Sequence, residues 1–157
     1  MTTTQIPDVI PDEAAHRLAF TEVSFLLDIF AATMEELMGG ATASVGRIAG
    51  RELARKLPID GVTAVDRHDV IRQVATHFKN GYDIHIDESE GGGNTIVVFG
   101  NCAIREVCRN RQMAPGGELC QLFHYYFDGV INELVKSPVK SELAPAETEC
   151  RCHMRFK

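Results

Sequence analysis

The five cysteines of this 157-residue chain are its most distinctive chemistry, because all of them lie in the C-terminal third. They are Cys102, Cys108, Cys120, Cys150 and Cys152. Two of the six histidines, His124 and His153, lie near them in the sequence. Thiolates and imidazoles bind soft and borderline transition metals. The clustering therefore predicts metal or redox chemistry here, and a scaffolding role for the upstream residues.

The spacing of the cysteines narrows that chemistry. No Cys-x-x-Cys occurs, so neither a thioredoxin motif nor a zinc ribbon is present. Cys120 begins a predicted helix, where the helix dipole stabilises a thiolate, and His124 follows one turn later on the same face. Cys150 and Cys152 point to one face if they lie on a strand. Spacing alone leaves open both a metal site and a set of buried thiols that pack as small apolar side chains.

Composition excludes several classes of partner. The formal net charge is −6, and no run of Lys or Arg occurs. Binding phosphates needs a dense positive face, so direct nucleic-acid binding is not expected. The chain shows neither a signal-peptide pattern nor a long apolar run, so we expect a cytoplasmic protein without a membrane span. Thiols stay reduced in the cytoplasm, which favours metal or redox chemistry over structural disulfides.

Helices and strands are grouped along the chain rather than alternating. Apolar periodicity predicts helices over 11–38, 66–79 and 118–136, and a further helix from a cap at Thr42 or Ser44 to about Leu57. It predicts strands over 82–87, 95–99, 139–143 and 149–156. Between them we expect a glycine-rich turn at 88–94 and a helical turn around Val107. The grouping predicts an α+β fold, with N-terminal helices packed on an antiparallel sheet and a long helix in the C-terminal half. Residues 1–10 are interpreted as a loose arm and 11–157 as a single domain.

Three apolar features carry further expectations. Gly46 and Gly50 lie four residues apart on one helix face, which favours close packing against another backbone over a ligand contact. The first helix has more apolar surface than a small sheet needs, so we expect a homodimer with helices at its interface. The aromatic face of the long helix, together with those glycines, bounds either an apolar cavity or plain core. That face consists of Phe123, Tyr126 and Phe127.

Two stretches resemble a known superfamily. The helix Gly46-Arg47-Ile48-Ala49-Gly50-Arg51-Glu52-Leu53-Ala54 resembles the glycine-containing helix of 4-vinyl-reductase-type, or hydrocarbon-binding, domains, which are similar in fold to small TRAPP-complex subunits. Asn101-Cys102-Ala103-Ile104 and Leu119-Cys120 resemble the sensor domain of iron–sulfur-dependent transcriptional repressors. Ala103 replaces the proline of that family's pattern. The resemblance implies a TRAPP-like fold.

The same resemblance implies a ligand set. In those sensor domains a cysteine after a strand, one at a helix start and one on the final strand hold an iron–sulfur cluster. Carried over residue by residue, this gives Cys102, Cys120 and Cys152. The fourth position is open to Cys150, Cys108, His124, a water or an outside ligand. Cys108 is not expected to be essential.

Two functions follow as hypotheses. The first is a small metal-binding or redox-sensing module that carries an iron–sulfur cluster, or alternatively zinc, through its C-terminal cysteines. The second is a binding module for a small apolar ligand, with structural or zinc-bound cysteines. No hydrolase, zinc-protease or dinucleotide motif occurs, so an enzyme with a cysteine nucleophile paired with His124 or His153 is a third and less favoured hypothesis.

Overall fold

The computed structural model describes residues 12–59, 66–87 and 94–157. The predicted arm over 1–10 and most of the glycine-rich turn lie outside these ranges. The described residues form five helices and four strands, in the grouped order that the sequence predicts. In chain order they are α1 (Glu13–Met38), α2 (Ala41–Ala54), α3 (Arg67–His77), β1 (Tyr82–Asp87), β2 (Thr95–Cys102), α4 (Ala103–Asn110), α5 (Glu118–Val135), β3 (Val139–Ala144) and β4 (Cys150–Phe156).

The four strands form one antiparallel sheet in the order β1-β2-β4-β3. The two predicted hairpins are therefore joined, because β2 pairs with β4 from Thr95 opposite Met154 to Phe99 opposite Cys150. The α+β prediction is confirmed. The expected helical turn around Val107 is longer than predicted, and forms α4 with Ile104, Val107 and Cys108 buried on one face.

Helix ends follow local capping. The Asp12 carboxylate accepts a hydrogen bond from the Ala15 amide at 2.8 Å and begins α1. The Asp66 carboxylate accepts one from the His68 amide at 3.0 Å and begins α3. Both helices therefore begin where their acidic caps predict.

The long helix α5 packs against α2 with almost no side chain between the two backbones. A Cβ added at Gly46 would lie 2.9 Å from the Leu122 carbonyl oxygen, and one added at Gly129 would lie 2.3 Å from the Arg47 carbonyl oxygen. Such distances are below any normal contact, so only glycine fits. The expected close helix packing is confirmed, and the Cβ positions of the α2 glycines face the α5 backbone.

The core lies between α5 and the inner face of the sheet. Phe127 and Val130 of α5 are fully buried there, against alternate residues of β2 and β4. The inward positions of β4 are Cys150, Cys152 and Met154, which confirms that the two cysteines share one face. This layer brings the chemistry-bearing side chains of α5 and β4 together.

The outward face of α1 is apolar and exposed. Leu26 is 52% exposed, Ile29 48% and Phe30 57%. Residues of this size are rarely exposed in a row on a monomer, so homodimerisation through this face stays a prediction. Among the described helices, none is long and apolar enough to cross a membrane.

Candidate functional site

Three buried side chains of different chemistry converge beneath the sheet. His124 is 5% exposed, Asp128 1% and Cys152 0%. A ring nitrogen of His124, a carboxylate oxygen of Asp128 and the Cys152 sulfur all lie within 4.8 Å of one another. Within the described ranges this is the one group of three or more such side chains that meets the spacing for a single metal ion.

Two elements position the group. His124 and Asp128 lie four residues apart on α5, and therefore on one face one turn apart. Cys152 comes from an inward position of β4. Ser141 of β3 completes the surroundings: its hydroxyl lies 3.1 Å from His124 Nε2 and donates a hydrogen bond to Asp128 Oδ2.

Burial disfavours the charged form of each of the three side chains. Desolvation, followed by the charge of Arg47, lowers the pKa of His124 to about 4. Desolvation raises the pKa of Asp128 to about 6, against the Ser141 hydrogen bond and the charge of Arg47. Burial likewise raises the pKa of the Cys152 thiol well above its ordinary value. At neutral pH the imidazole is unprotonated, which is the form that binds metals.

One oxygen of Asp128 lacks a partner. Asp128 Oδ1 is buried and accepts no hydrogen bond, while Oδ2 bonds Ser141 and lies 3.8 Å from Nη2 of Arg47. A buried unsatisfied carboxylate oxygen costs about 1–3 kcal/mol or more. Asp128 also lines a surface pocket of about 140 Å3 together with Arg47 and Arg51. The group therefore has an unfilled acceptor, and Asp128 lies beside this pocket.

A second feature is an apolar cavity of about 40 Å3 next to this group, lined by three cysteines. Cys102, Cys120 and Cys150 contribute to its wall, and so does His124. Burial raises the pKa of the Cys102 thiol. The remaining lining residues are Tyr82, Phe99, Ile104, Arg105, Pro115, Phe123, Phe127 and Leu143.

Cys120 and Cys108 form a close thiol pair at one side of the cavity. Their sulfur atoms lie 3.8 Å apart. The hydrogen bond from Cys108 lowers the pKa of Cys120 to about 7, with a smaller contribution from a backbone hydrogen bond at Gly116. The same interaction raises the pKa of Cys108. Of the two, Cys120 is therefore the thiol that ionises more readily.

Arg105 is a buried cation in the wall of the cavity. It is 5% exposed, and its guanidinium donates hydrogen bonds to the carbonyl oxygens of Phe99 and Gly100. Its Nη1 lies 3.8 Å from the Cys150 sulfur. Within the part of the chain that the structure describes, it forms no ion pair with a carboxylate.

The predicted ligands are thus divided between two neighbouring sites. Cys102 and Cys120 line the cavity with Cys150, while Cys152 belongs to the group with His124. Asp128 was not among the residues singled out from the sequence. Its position one turn after His124 was the available signal. The aromatic face of α5 was expected to bound either an apolar cavity or plain core. Phe123 and Phe127 line the cavity, whereas Tyr126 and the α2 glycines do not.

The fold is similar to that of a solved trafficking protein. The crystal structure of trafficking protein particle complex subunit 3 from Naegleria fowleri, covalently bound to palmitic acid, matches with a TM-score of 0.52 at 12% identity. The match covers 87% of this chain and 96% of that chain. The expected TRAPP-like fold is confirmed, and at this identity the likeness extends to the fold alone. No family model matches the chain, and no curated protein matches it.

Proposed function

We propose that the protein is a metal-binding module that holds one divalent transition-metal ion, with zinc as the best fit, through His124, Asp128 and Cys152. The observation that carries the proposal is the convergence of these three buried ligands around a carboxylate oxygen without a partner. The carboxylate and the thiolate together balance the charge of a divalent ion, and the imidazole is neutral. The Arg47 guanidinium lies near the carboxylate. This mixed nitrogen, oxygen and sulfur set suits zinc.

The distances fit an ion after small side-chain adjustments. A tetrahedral zinc ion sets its ligand atoms roughly 3.3–3.8 Å apart. The three ligand atoms lie within 4.8 Å of one another, so a contraction of about 1 Å closes the site. Ser141 stands beside His124 and Asp128, where its hydroxyl can serve as a further oxygen ligand or hold the carboxylate in place. The burial of all three ligands favours a structural or sensing ion over a catalytic one.

Cobalt substitution tests the proposal. Metal-free protein titrated with Co2+ should develop a thiolate-to-cobalt charge-transfer band and the visible bands of a tetrahedral ion. Asp128→Asn and His124→Gln should each weaken binding about 10–100-fold, and Cys152→Ala should remove the charge-transfer band. Cys108→Ser, outside the group, is the matched control. Equal cobalt affinity in all four variants would rule the site out.

The iron–sulfur cluster on Cys102, Cys120 and Cys152 remains a prediction from sequence resemblance, and two further variants separate it from the single ion. A cluster requires brown protein after anaerobic purification, with colour lost in Cys102→Ser and Cys120→Ser. A single ion at His124 leaves the metal content of both variants unchanged. Absence of the brown colour would rule out a redox-sensing role through bound iron.

A second candidate function is binding of a small apolar acid in the cysteine-lined cavity. Arg105 favours it, because a buried cation is costly unless an anion compensates it. The cavity volume of about 40 Å3 limits the ligand to a short chain or a single group. Pockets for larger ligands measure roughly 300–1,000 Å3, so the covalent palmitic acid of the Naegleria protein is not carried over to this chain.

Thermal-shift titration tests this candidate. Short carboxylic acids should stabilise the wild-type protein, while the corresponding alcohols should not. Arg105→Met should remove the effect. Stabilisation by acids and alcohols alike would leave Arg105 without a role in ligand binding.

A further inference from the structure

The Cys108–Cys120 pair lies outside the proposed metal group. Cys108 is on the buried face of α4 and is 2% exposed, whereas Cys120 lies in the first turn of α5 and is partly exposed. Their sulfurs are 3.8 Å apart. A disulfide requires about 2.05 Å, so the sulfurs must approach each other by about 1.8 Å. That distance is within the reach of side-chain rotation and a small helix shift.

We propose that Cys120 is an oxidation site for hydroperoxides, and that Cys108 converts the oxidised Cys120 into a disulfide. The positions of the two thiols determine which one reacts with the oxidant and which one then forms the disulfide. Cys120 is the more exposed of the two residues, and it lies in the first turn of α5, where the helix N-terminus stabilises a thiolate. Cys108 is shielded from solvent and meets an oxidant only through Cys120.

The chemistry balances with a hydroperoxide as the oxidant. The Cys120 thiolate attacks the terminal oxygen of the hydroperoxide; a sulfur–oxygen bond forms, the oxygen–oxygen bond breaks, and the alkoxide or hydroxide leaves with a proton. Cys120 is then a sulfenic acid. The Cys108 sulfur attacks the Cys120 sulfur, the sulfur–oxygen bond breaks, and the hydroxyl leaves with the Cys108 proton as water. Two thiols lose two electrons in total, and one hydroperoxide is reduced.

Oxidation would act on the neighbouring cavity. Cys120 lines the cavity with Cys102 and Cys150, so drawing its sulfur toward α4 changes the cavity wall. The disulfide would also fix the first turn of α5 to α4. The proposal does not depend on the metal site, because neither cysteine belongs to the group around His124.

Peroxide titration of the full chain tests the proposal. One equivalent of hydrogen peroxide should remove two of the five thiols and lower the mass by about 2 Da. Peptide mapping after alkylation should find Cys108 linked to Cys120. Cys108→Ser should accumulate a sulfenic acid at Cys120 that dimedone traps, and Cys120→Ser should slow thiol loss at least about 10-fold.

Wild-type protein kept without peroxide is the control and should retain all five thiols over the same time. Persistence of all five thiols, or a disulfide between other cysteines, would overturn the proposal. If a variant does not fold by circular dichroism, the map of the wild-type disulfide decides alone.

Discussion

Gly50 of α2 and Tyr126 of α5 meet backbone to backbone: a Cβ added to Gly50 would lie 2.0 Å from the Tyr126 carbonyl oxygen. The same Cβ would lie 2.9 Å from the Val130 amide nitrogen. Both neighbours are main-chain atoms and cannot rotate away. The position of α5, and with it that of His124, therefore depends on a missing methyl group on α2.

Gly50→Ala should destabilise the protein. Separating the two helices costs about 1–3 kcal/mol or more, which exceeds the roughly 1 kcal/mol that alanine gains over glycine inside a helix. We expect a net loss of about 2 kcal/mol in the free energy of unfolding, measured by urea denaturation. Gly81→Ala is the control, because a Cβ there meets no atom within 4 Å. Equal losses in both variants would contradict the backbone contact.

Asp128 and His124 should give the metal-free protein opposing pH dependences. The folded-state pKa of Asp128 is raised from 3.8 to about 6, so its contribution to stability is complete below about 3.8 and is lost as the pH rises through 6. The folded-state pKa of His124 is lowered from 6.5 to about 4, so its contribution is complete above 6.5 and is lost as the pH falls through 4. Between pH 4 and 6 the two contributions largely cancel.

Single variants should expose each contribution. Asp128→Asn should lose stability on acidification from pH 6.5 to 4, whereas His124→Gln should gain it, each by an amount on the order of 2–3 kcal/mol. Urea denaturation across this range measures both slopes. The double variant is the control and should follow the wild type. Slopes of the same sign in the two single variants would contradict the assignment.

Removing the charge of Arg47 should strengthen metal binding. Its Nη2 lies 3.8 Å from Asp128 Oδ2, so the guanidinium repels a cation bound to that carboxylate. We expect Arg47→Gln to raise cobalt affinity about 3–10-fold at pH 7.5, measured by competition with a chelator. Arg51→Gln changes a neighbouring arginine of the same surface pocket and should have a smaller effect. Weaker binding in Arg47→Gln would place the ion elsewhere.

The exposed face of α1 should mediate dimerisation. Leu26 and Phe30 lie one turn apart and are more than half exposed. Light scattering should give a dimer mass for the wild type and a monomer mass for Leu26→Glu/Phe30→Glu, because buried charges oppose an apolar interface. Gln73→Glu, on the exposed side of α3, should remain dimeric. A monomeric wild type would remove the prediction.

Local sequence patterns were sufficient to predict most helices and strands, but they did not predict which strands pair with one another. Alternation from Tyr82 to Ile86 predicts β1, and the apolar period after Glu118 predicts α5. The helix α4 was underestimated, because Arg105, Glu106 and Arg109 interrupt a stripe that is otherwise regular. Arg105 is itself buried, although its charge would predict an exposed position.

The candidate site was predicted in part for the same reason. The sequence indicates that His124 and the cysteines belong to a metal-binding part of the chain. It does not indicate which cysteine faces which helix, since this depends on β4 lying next to β2. The position of Ser141 could not be predicted for the same reason, because Ser141 lies near His124 only when β3 pairs with β4 beneath α5.

The strand order has a consequence for the sequence of folding events. β4 follows β3 in the chain, yet it lies between β2 and β3 in the sheet. Until β4 arrives, β2 and β3 each expose an unpaired edge, and the two halves of the sheet have no shared partner. Such long-range pairing is slow and leaves strand edges open to other chains. A nascent chain is therefore most vulnerable to aggregation in the interval before Cys150–Phe156 is inserted, because any strand that pairs with the β2 edge in that interval occupies the place of β4.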